Sequence, residues 1–587
     1  MTTPTHRPSD GDPNTGGTGT ADAGAVGASA VRRVADDYLD SLAGWEPKAA
    51  LTIGRPAPVL PDLSPDAYDA RAELAARTAG ALAAATPHTG ADRMLAGALA
   101  DRLAAETDLH DSGFTPRLLA PLATPVHLVR SAFDDLPTET EADWAVVADT
   151  LAAVPTALAQ YRQTLARSAD RGQRVARRQV LAVADQCAAW TDPRRDDFYP
   201  GLVGRYPGGP SGARLTAGAA AATAATAEFE AYLRTELAPA APETDGVGRE
   251  LYAITARSFL GATIDLDEVY AYGWAELDRL ATRMRAVADE LVPGGTVADA
   301  MAALDADPRG RLVGLPALTD WLNERVEQIT GALDGTHFDI PAATRRVECR
   351  ITPAASGVMY YTAPDPGLTR PGRVWWCLPP GQDEASTWRE ISTLHHESLP
   401  GHHLQHAITL TLPDLHPWQR TLCEVHGYAE GWAHYAEGLA AEIGLIAGPG
   451  EQLGLLCGQI WRACRIVIDA GLHLDLPIPA GNGFTTATRW TPDLAVSFLA
   501  RIAGMDRATA RFEVDRYLGW PGQALAFKVG ARLWEQARDR ATRAGLSTRE
   551  FHARALRLGP AGLDVLAGAL AEGAPGPGAL AEEGPTS

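Results

Sequence analysis

Paired cysteines are missing from this chain. Its six cysteines, Cys187, Cys349, Cys377, Cys423, Cys457 and Cys464, are scattered and never form CxxC, which argues against a disulfide framework and against a cysteine-ligated zinc. They read as small buried apolar residues. No Lys/Arg-rich block stands out either, and the net charge of −21 is spread along the sequence. Neither a nucleic acid nor an anionic membrane is therefore an expected partner. No stretch reaches the ~18 to 20 strongly apolar residues that a membrane span needs, and the alanine-rich runs near residues 78–85 and 216–227 lack the Leu, Ile and Phe content for one. The N-terminal segment has no basic region followed by an apolar one, so it reads as a disordered tail and not as a leader. The Gly- and Pro-rich end GAPGPGALAEEGPTS reads as a second tail. Together these absences predict a soluble chain in a reducing, cytoplasmic setting.

Helical periodicity is what the sequence has in abundance. A chain of 587 residues with 46% apolar content can bury a large core. Tyr270, Trp274, Leu277, Ala281, Met284, Ala288 and Leu291 step by three and four, with Asp265 and Glu268 as a capping box before them and Pro293-Gly294-Gly295 after. Similar patterns run through residues 30–45, 66–84, 91–107, 142–169, 172–190, 217–236, 247–260 and 312–333, with no fixed-length repeat. The fold class is mainly α. RVECRI and RVWWCL, between Arg346 and Leu378, are the exception and predict a small sheet joined by a turn-rich link containing Tyr360-Tyr361. The chain divides into tails at 1–29 and 572–587, an N-terminal helical region at 30–340, and a region at 341–571 that carries the sheet and the histidine cluster.

That cluster is LHHESLPGHHLQH, Leu394 to His406, at the end of a helix that a Thr387/Glu390 capping box should open. In HExxH, histidines four apart face one side of a helix and converge on a metal, while the glutamate reaches a metal-bound water. Here the second histidine position is Pro400. Proline removes a backbone bond and clashes with the preceding turn, and Gly401 permits unusual dihedrals, so the helix is expected to kink or bulge between His396 and His402. That bulge would bring His402 or His403 to the second ligand position. His402 and His406 have regular spacing but no glutamate between them to act as a base. A third ligand is sought downstream, where Glu430, Ala433, His434, Glu437, Ala440 and Ala441 form one stripe of a helix ending near Gly444. Glu430 is the choice, with Glu424, Glu437 and Glu442 as rivals; Trp432 and Tyr435 read as packing residues.

HESLPGHHLQ resembles the HExxPGHHxQ signature of a bacterial family, domain of unknown function 885. That family is placed among predicted gluzincin-type zinc metallopeptidases related to the carboxypeptidase Taq, thimet oligopeptidase and angiotensin-converting enzyme groups. YAEGWAHYAEGL resembles its FxEGWALYxExL, and Glu513 to Gly530, EVDRYLGWPGQALAFKVG, resembles its ExxRYxxxPGQALxYKxG; the likeness covers roughly residues 30–570. His434 stands where leucine is usual, Phe527 where tyrosine is usual, and WWCLPP where an asparagine is common. The resemblance implies a multi-helix gluzincin-like fold with a small sheet before the active-site helix and a deep cleft. It also implies a zinc ion held by His396, one histidine of the pair His402 and His403, and Glu430, with Glu397 as general base. Tyr517 is the candidate oxyanion donor, with Tyr360 and Tyr361 as alternatives, and Arg516, Gln523, Lys528 and His434 are candidates for contacting substrate.

The expected function is zinc-dependent hydrolysis of a peptide or other amide bond in a small substrate. A biosynthetic enzyme acting on a small metabolite at the same centre is the alternative. A catalytically silent metal-binding protein is a third reading, disfavoured because Glu397 is kept.

Overall fold

Helices form where the apolar period runs. In the computed structural model, which describes residues 29–134, 136–352, 359–365, 367–378 and 381–572, the helix around Trp274 spans Leu266–Leu291 and buries Val269, Tyr270, Trp274, Leu277, Leu280 and Met284 on one face. That face packs against the helix Gly448–His473. Gly273 sets the approach, because a Cβ there would lie 2.8 Å from the Ile466 side chain. Asp265 caps the helix by accepting from the amides of Asp267 and Glu268. The expected box is not closed, since the Glu268 carboxylate pairs with Arg532 instead, at 2.8 Å.

The other periodic segments become Ala30–Leu42, Pro65–Ala84, Gly90–Asp111, Glu141–Asp170, Arg177–Thr191, Gly212–Tyr232, Gly248–Leu260 and Leu315–Leu333. One of the two largest shifts at a helix start has a local cause. Gly172 takes a left-handed φ of 77° and delays the next helix to Arg177. By length and composition Glu141–Asp170 could cross a membrane, which corrects the expectation that no segment could. In this fold Trp144, Val147, Leu151, Val154 and Leu158 of that helix are buried in an apolar core. The expected tails fall almost wholly outside the described residues.

Five short strands accompany the helices: β1 (Arg311–Val313), β2 (Val347–Thr352), β3 (Tyr360–Thr362), β4 (Gly372–Cys377) and β5 (Glu384–Ser386). RVECRI and RVWWCL do pair, as parallel β2 and β4, and the sheet is completed by β3 running antiparallel to β4 through the Tyr360-Tyr361 segment that reads as a link in the sequence. β1 and β5 form a separate antiparallel ribbon.

Two large apolar cores result. The smaller holds Leu60, Leu63 and residues from 119–238; the larger joins residues from 31–103 to residues from 252–570, and so takes side chains from both sides of residue 340. The histidine cluster lies in the larger one.

Candidate metal centre

At Pro400 the helix does not bulge; it ends. One helix spans Thr387–Glu397 and a second spans His402–Leu410, so the single deformed helix expected from the sequence is corrected to two helices and a tight turn. Across the turn the Gly401 amide donates to the His395 carbonyl at 3.1 Å and the His403 amide to the Ser398 carbonyl at 3.0 Å. Glycine is required at 401 by space, for a Cβ would lie 2.0 Å from the His396 carbonyl oxygen and 2.5 Å from that of His395. Trp432, buried on the helix His426–Glu442, donates its indole N–H to the carbonyls of Pro400 at 2.9 Å and Gly401 at 3.3 Å. The turn carbonyls are thereby satisfied without water. The Thr387/Glu390 box is also corrected: Ser386 is the residue before the first turn, and Glu390 accepts from the Trp376 indole of β4 at 2.8 Å.

The turn sets the His402 ring against that of His396, with centroids 4.8 Å apart at 88°. Glu430 Oε2 then lies 3.2 Å from His396 Nε2 and 3.5 Å from His402 Nε2, and one ligand atom from each of the three lies within 4.8 Å of the others. Tetrahedral zinc with bonds of about 2.05 Å separates its ligand atoms by about 3.3 Å. The donor set and these two edges fit such an ion. Behind the trio, His396 Nδ1 faces Glu437 Oε1 at 2.7 Å, and Glu437 also accepts from Ser392 Oγ at 2.8 Å and from His434 Nδ1 at 3.2 Å. A carboxylate on Nδ1 fixes the tautomer and leaves Nε2 with a lone pair for a cation.

The charges point the same way. Burial opposes a charge on His396, but Glu430 and Glu437 outweigh it and push its pKa up to about 10. Burial likewise raises Glu430 and Glu437, yet the facing histidines hold both well below the usual carboxylate range. Two carboxylates, Glu437 buried and Glu430 partly buried, thus favour a positive charge between them, as an imidazolium or as a metal ion. Glu397 is 8% exposed and makes no hydrogen bond among the described residues. Burial pushes its pKa up, against the pull of His396 and His402.

His403 is not part of this centre. Its Nε2 donates to the Thr344 carbonyl at 2.7 Å, so the neutral ring accepts the Tyr361 hydroxyl at Nδ1, 2.9 Å away, and neither nitrogen is left for a metal. Burial keeps it neutral, with its pKa down at about 4. Tyr361 is therefore committed to His403, and Tyr360 stacks on Trp375 at 6.1 Å. Tyr517 is buried, with its hydroxyl donating to Glu513 at 2.7 Å and accepting from Arg465 Nε at 3.1 Å. No contact brings it to the trio. Arg516 holds Gln523 at 2.9 Å and Glu513 at 3.4 Å, while Lys528 pairs with Glu276 and donates to Gln459, each at 2.9 Å. Among the rival glutamates, Glu424 pairs with Lys48, Glu442 with Arg538 at 2.9 Å, and Glu437 orients His396. Sequence reasoning passed over Ser392, Arg462 and Arg465, which carry no motif. It ranked Glu437 only as a rival, although its place seven residues after Glu430 on the same stripe was a usable signal.

Residues 47–570 match the family described as "Bacterial protein of unknown function (DUF885)", and the chain belongs to that family. No curated protein matches it. A protein from Colwellia psychrerythraea provisionally classed as a lipoprotein shares the fold with a TM-score of 0.77 at 19% identity, over 93% of this chain and 99% of that one. A second such protein, of unknown function and from Shewanella oneidensis, aligns with a TM-score of 0.70 at 16% identity, over 92% of this chain and 99% of its own. At these identities the likeness is one of fold alone.

Proposed function

We propose that this family member is a zinc-dependent hydrolase of the gluzincin kind that cleaves a peptide or other amide bond in a small substrate, in a reducing cytoplasm. One observation carries the reading: His396 Nε2, His402 Nε2 and a Glu430 oxygen converge, with Glu397 one residue beyond the first ligand and free of any structural hydrogen bond. Bound there, zinc would lower the pKa of a coordinated water to about 7 and polarise the scissile carbonyl. Glu437 holds His396 in the required tautomer, and Ser392 and His434 hold Glu437. Glu397 accepts a proton from the attacking water and returns it to the leaving nitrogen. Its burial raises its basicity toward neutral pH, which suits that exchange.

Limited access favours a small substrate over a folded protein, since the His402 side chain is only 12% exposed and that of Glu430 24%. A small peptide and the amide of a metabolite both meet this condition. The buried thiols of Cys187, Cys349, Cys423 and Cys464 suit a reducing compartment. Metal content of the purified protein tests the centre. About one zinc per chain is expected, retained by Glu397→Gln and largely lost by His396→Ala. Hydrolysis of a peptide and amide panel should fall by about 10²- to 10⁴-fold in Glu397→Gln. Wild-type protein that stays zinc-free after supplementation refutes the centre, and a zinc-loaded protein silent on the whole panel refutes the hydrolase.

A further inference from the structure

Next to the centre lies a guanidinium with no ion-pair partner among the described residues. Arg462 and Arg465 sit about one turn apart on the helix Gly448–His473, so they share a face. Arg465 is 2% exposed; its Nη2 pairs with Glu513 at 2.9 Å and its Nε meets Tyr517, but its Nη1 is shielded from solvent and has no partner. Arg462 is partly buried, its Nε is also shielded and unpartnered, and no acidic side chain among the described residues lies within ion-pair distance of it. Its guanidinium lies 3.9 Å from the Trp461 ring centroid and 5.2 Å from that of Phe527, while that of Arg465 lies 4.4 Å from the Phe527 centroid. Phe527 in turn stacks on the ligand His396, with centroids 6.0 Å apart at 15°. One aromatic ring therefore touches both arginines and the metal ligand.

The local charge does not balance. Glu513 is shared by Arg465 and Arg516, and Arg462 adds a third cation that the nearby carboxylates, Glu397 among them, attract only from beyond ion-pair distance. Glu430 and Glu437 cannot make up the difference when a divalent ion sits between His396 and His402, because they neutralise that ion. Removing an unpaired guanidinium from water is costly, and stacking on aromatic rings offsets only part of that cost. Burial and the neighbouring Arg465 accordingly lower the Arg462 pKa to about 10. A planar fork with unpartnered N–H groups matches the paired oxygens of a carboxylate, or of a phosphate, bidentately.

We infer that Arg462, together with the unpartnered Nη1 of Arg465, binds a carboxylate of the substrate, so that the centre acts on amides that carry a free carboxylate near the scissile bond. The inference rests on the hydrolase reading for its catalytic meaning, but the pair of guanidinium groups belongs to the protein alone.

Calorimetry on the protein as purified, with and without added zinc, tests the arginine pair. The probes are 3-phenylpropanoate, its neutral amide and inorganic phosphate, titrated into wild type, Arg462→Gln and Arg462→Lys. Arg462 makes no ion pair, so its replacement should leave the fold intact, and circular dichroism of the variants checks this. Wild type should bind the carboxylate at least about tenfold tighter than the amide; Arg462→Gln should erase that preference without changing amide affinity, and Arg462→Lys should keep part of it. Equal affinity for acid and amide in wild type, an unchanged preference in Arg462→Gln, or tighter binding of phosphate than of the carboxylate overturns the inference. Zinc stoichiometry is measured separately, so a pocket without a metal centre and a metal centre without a pocket give different results.

Discussion

Glu437 is the residue through which the candidate centre is most cleanly tested, because it touches a ligand without being one. Its carboxylate is 2% exposed and holds His396 Nδ1 at 2.7 Å, His434 Nδ1 at 3.2 Å and Ser392 Oγ at 2.8 Å. Glu437→Gln keeps the volume and one acceptor for His396 but removes the charge that strengthens that bond and raises the basicity of Nε2. Losing such an outer partner costs about 10- to 100-fold in metal affinity, or about 1.4 to 2.7 kcal/mol. The glutamine should fall at the lower end of that range. Glu437→Ala should fall at or beyond the upper end, since it also frees the ring and leaves the Ser392 hydroxyl unpartnered. The assay is competition for zinc against a chromophoric chelator at fixed pH. Glu442→Gln, on the same helix but paired with Arg538 near the surface at 2.9 Å, serves as the control and should bind zinc like wild type. Wild-type affinity in Glu437→Gln, or an equal loss in Glu442→Gln, would show that the carboxylate does not act through His396.

Two further outcomes follow from the geometry. Gly401→Ala places a methyl 2.0 Å from the His396 carbonyl oxygen, so the turn must open and carry His402 away from Glu430. Zinc affinity should drop by at least the Glu437→Gln amount and the metal-free fold should lose about 1 to 3 kcal/mol in urea denaturation; an unchanged affinity refutes the role given to the turn. Asp469 is buried, and burial pushes its pKa up to about 8 despite bonds from the Tyr252 hydroxyl and the Gly522 amide. Between the unfolded value of about 3.9 and that folded value the native state holds a proton the unfolded chain lacks. This contribution to stability is full below about pH 4 and is lost as pH rises toward about 8, at up to about 1.4 kcal/mol per pH unit. Asp469→Asn should flatten that slope in denaturation curves taken across the window, and parallel slopes in the two proteins would refute the assignment.

The first half of the centre was readable in one dimension because its chemistry is local. His396 and Glu397 follow from the motif, and Glu430 from a helical stripe whose length the sequence fixes to within a turn. The choice between His402 and His403 was not readable, since it turns on Thr344, which takes His403 Nε2 from 59 residues away, and on Tyr361 from an unforeseen strand. The same remoteness explains the two capping boxes. Thr387 with Glu390 and Asp265 with Glu268 have the right spacing, but Trp376 and Arg532 claim the glutamates first. Tyr517 looked available only because Arg465, 52 residues earlier, and Glu513 were not yet placed around it. Propensity and period set the long helices well; ownership of a polar atom is decided by whatever the tertiary fold brings to it.

The two apolar cores divide the chain unevenly in sequence but cleanly in thermodynamic terms. The smaller is built almost wholly from one uninterrupted stretch, residues 119–238, inserted between segments that both belong to the larger. It meets the larger through polar ties such as the Trp520 indole on the Leu122 carbonyl at 2.7 Å, the Gln179 amide on the Asp515 carbonyl at 3.0 Å and the ion pairs Arg167–Asp69 at 2.8 Å and Arg178–Asp515 at 3.4 Å. Such a stretch can open as its own cooperative unit while the helices that carry His396, His402 and Glu430 stay packed. Hydrogen exchange should therefore find the amides of residues 119–238 opening before those of the helices that carry His396, His402 and Glu430, and equal protection in both would refute a separate unit.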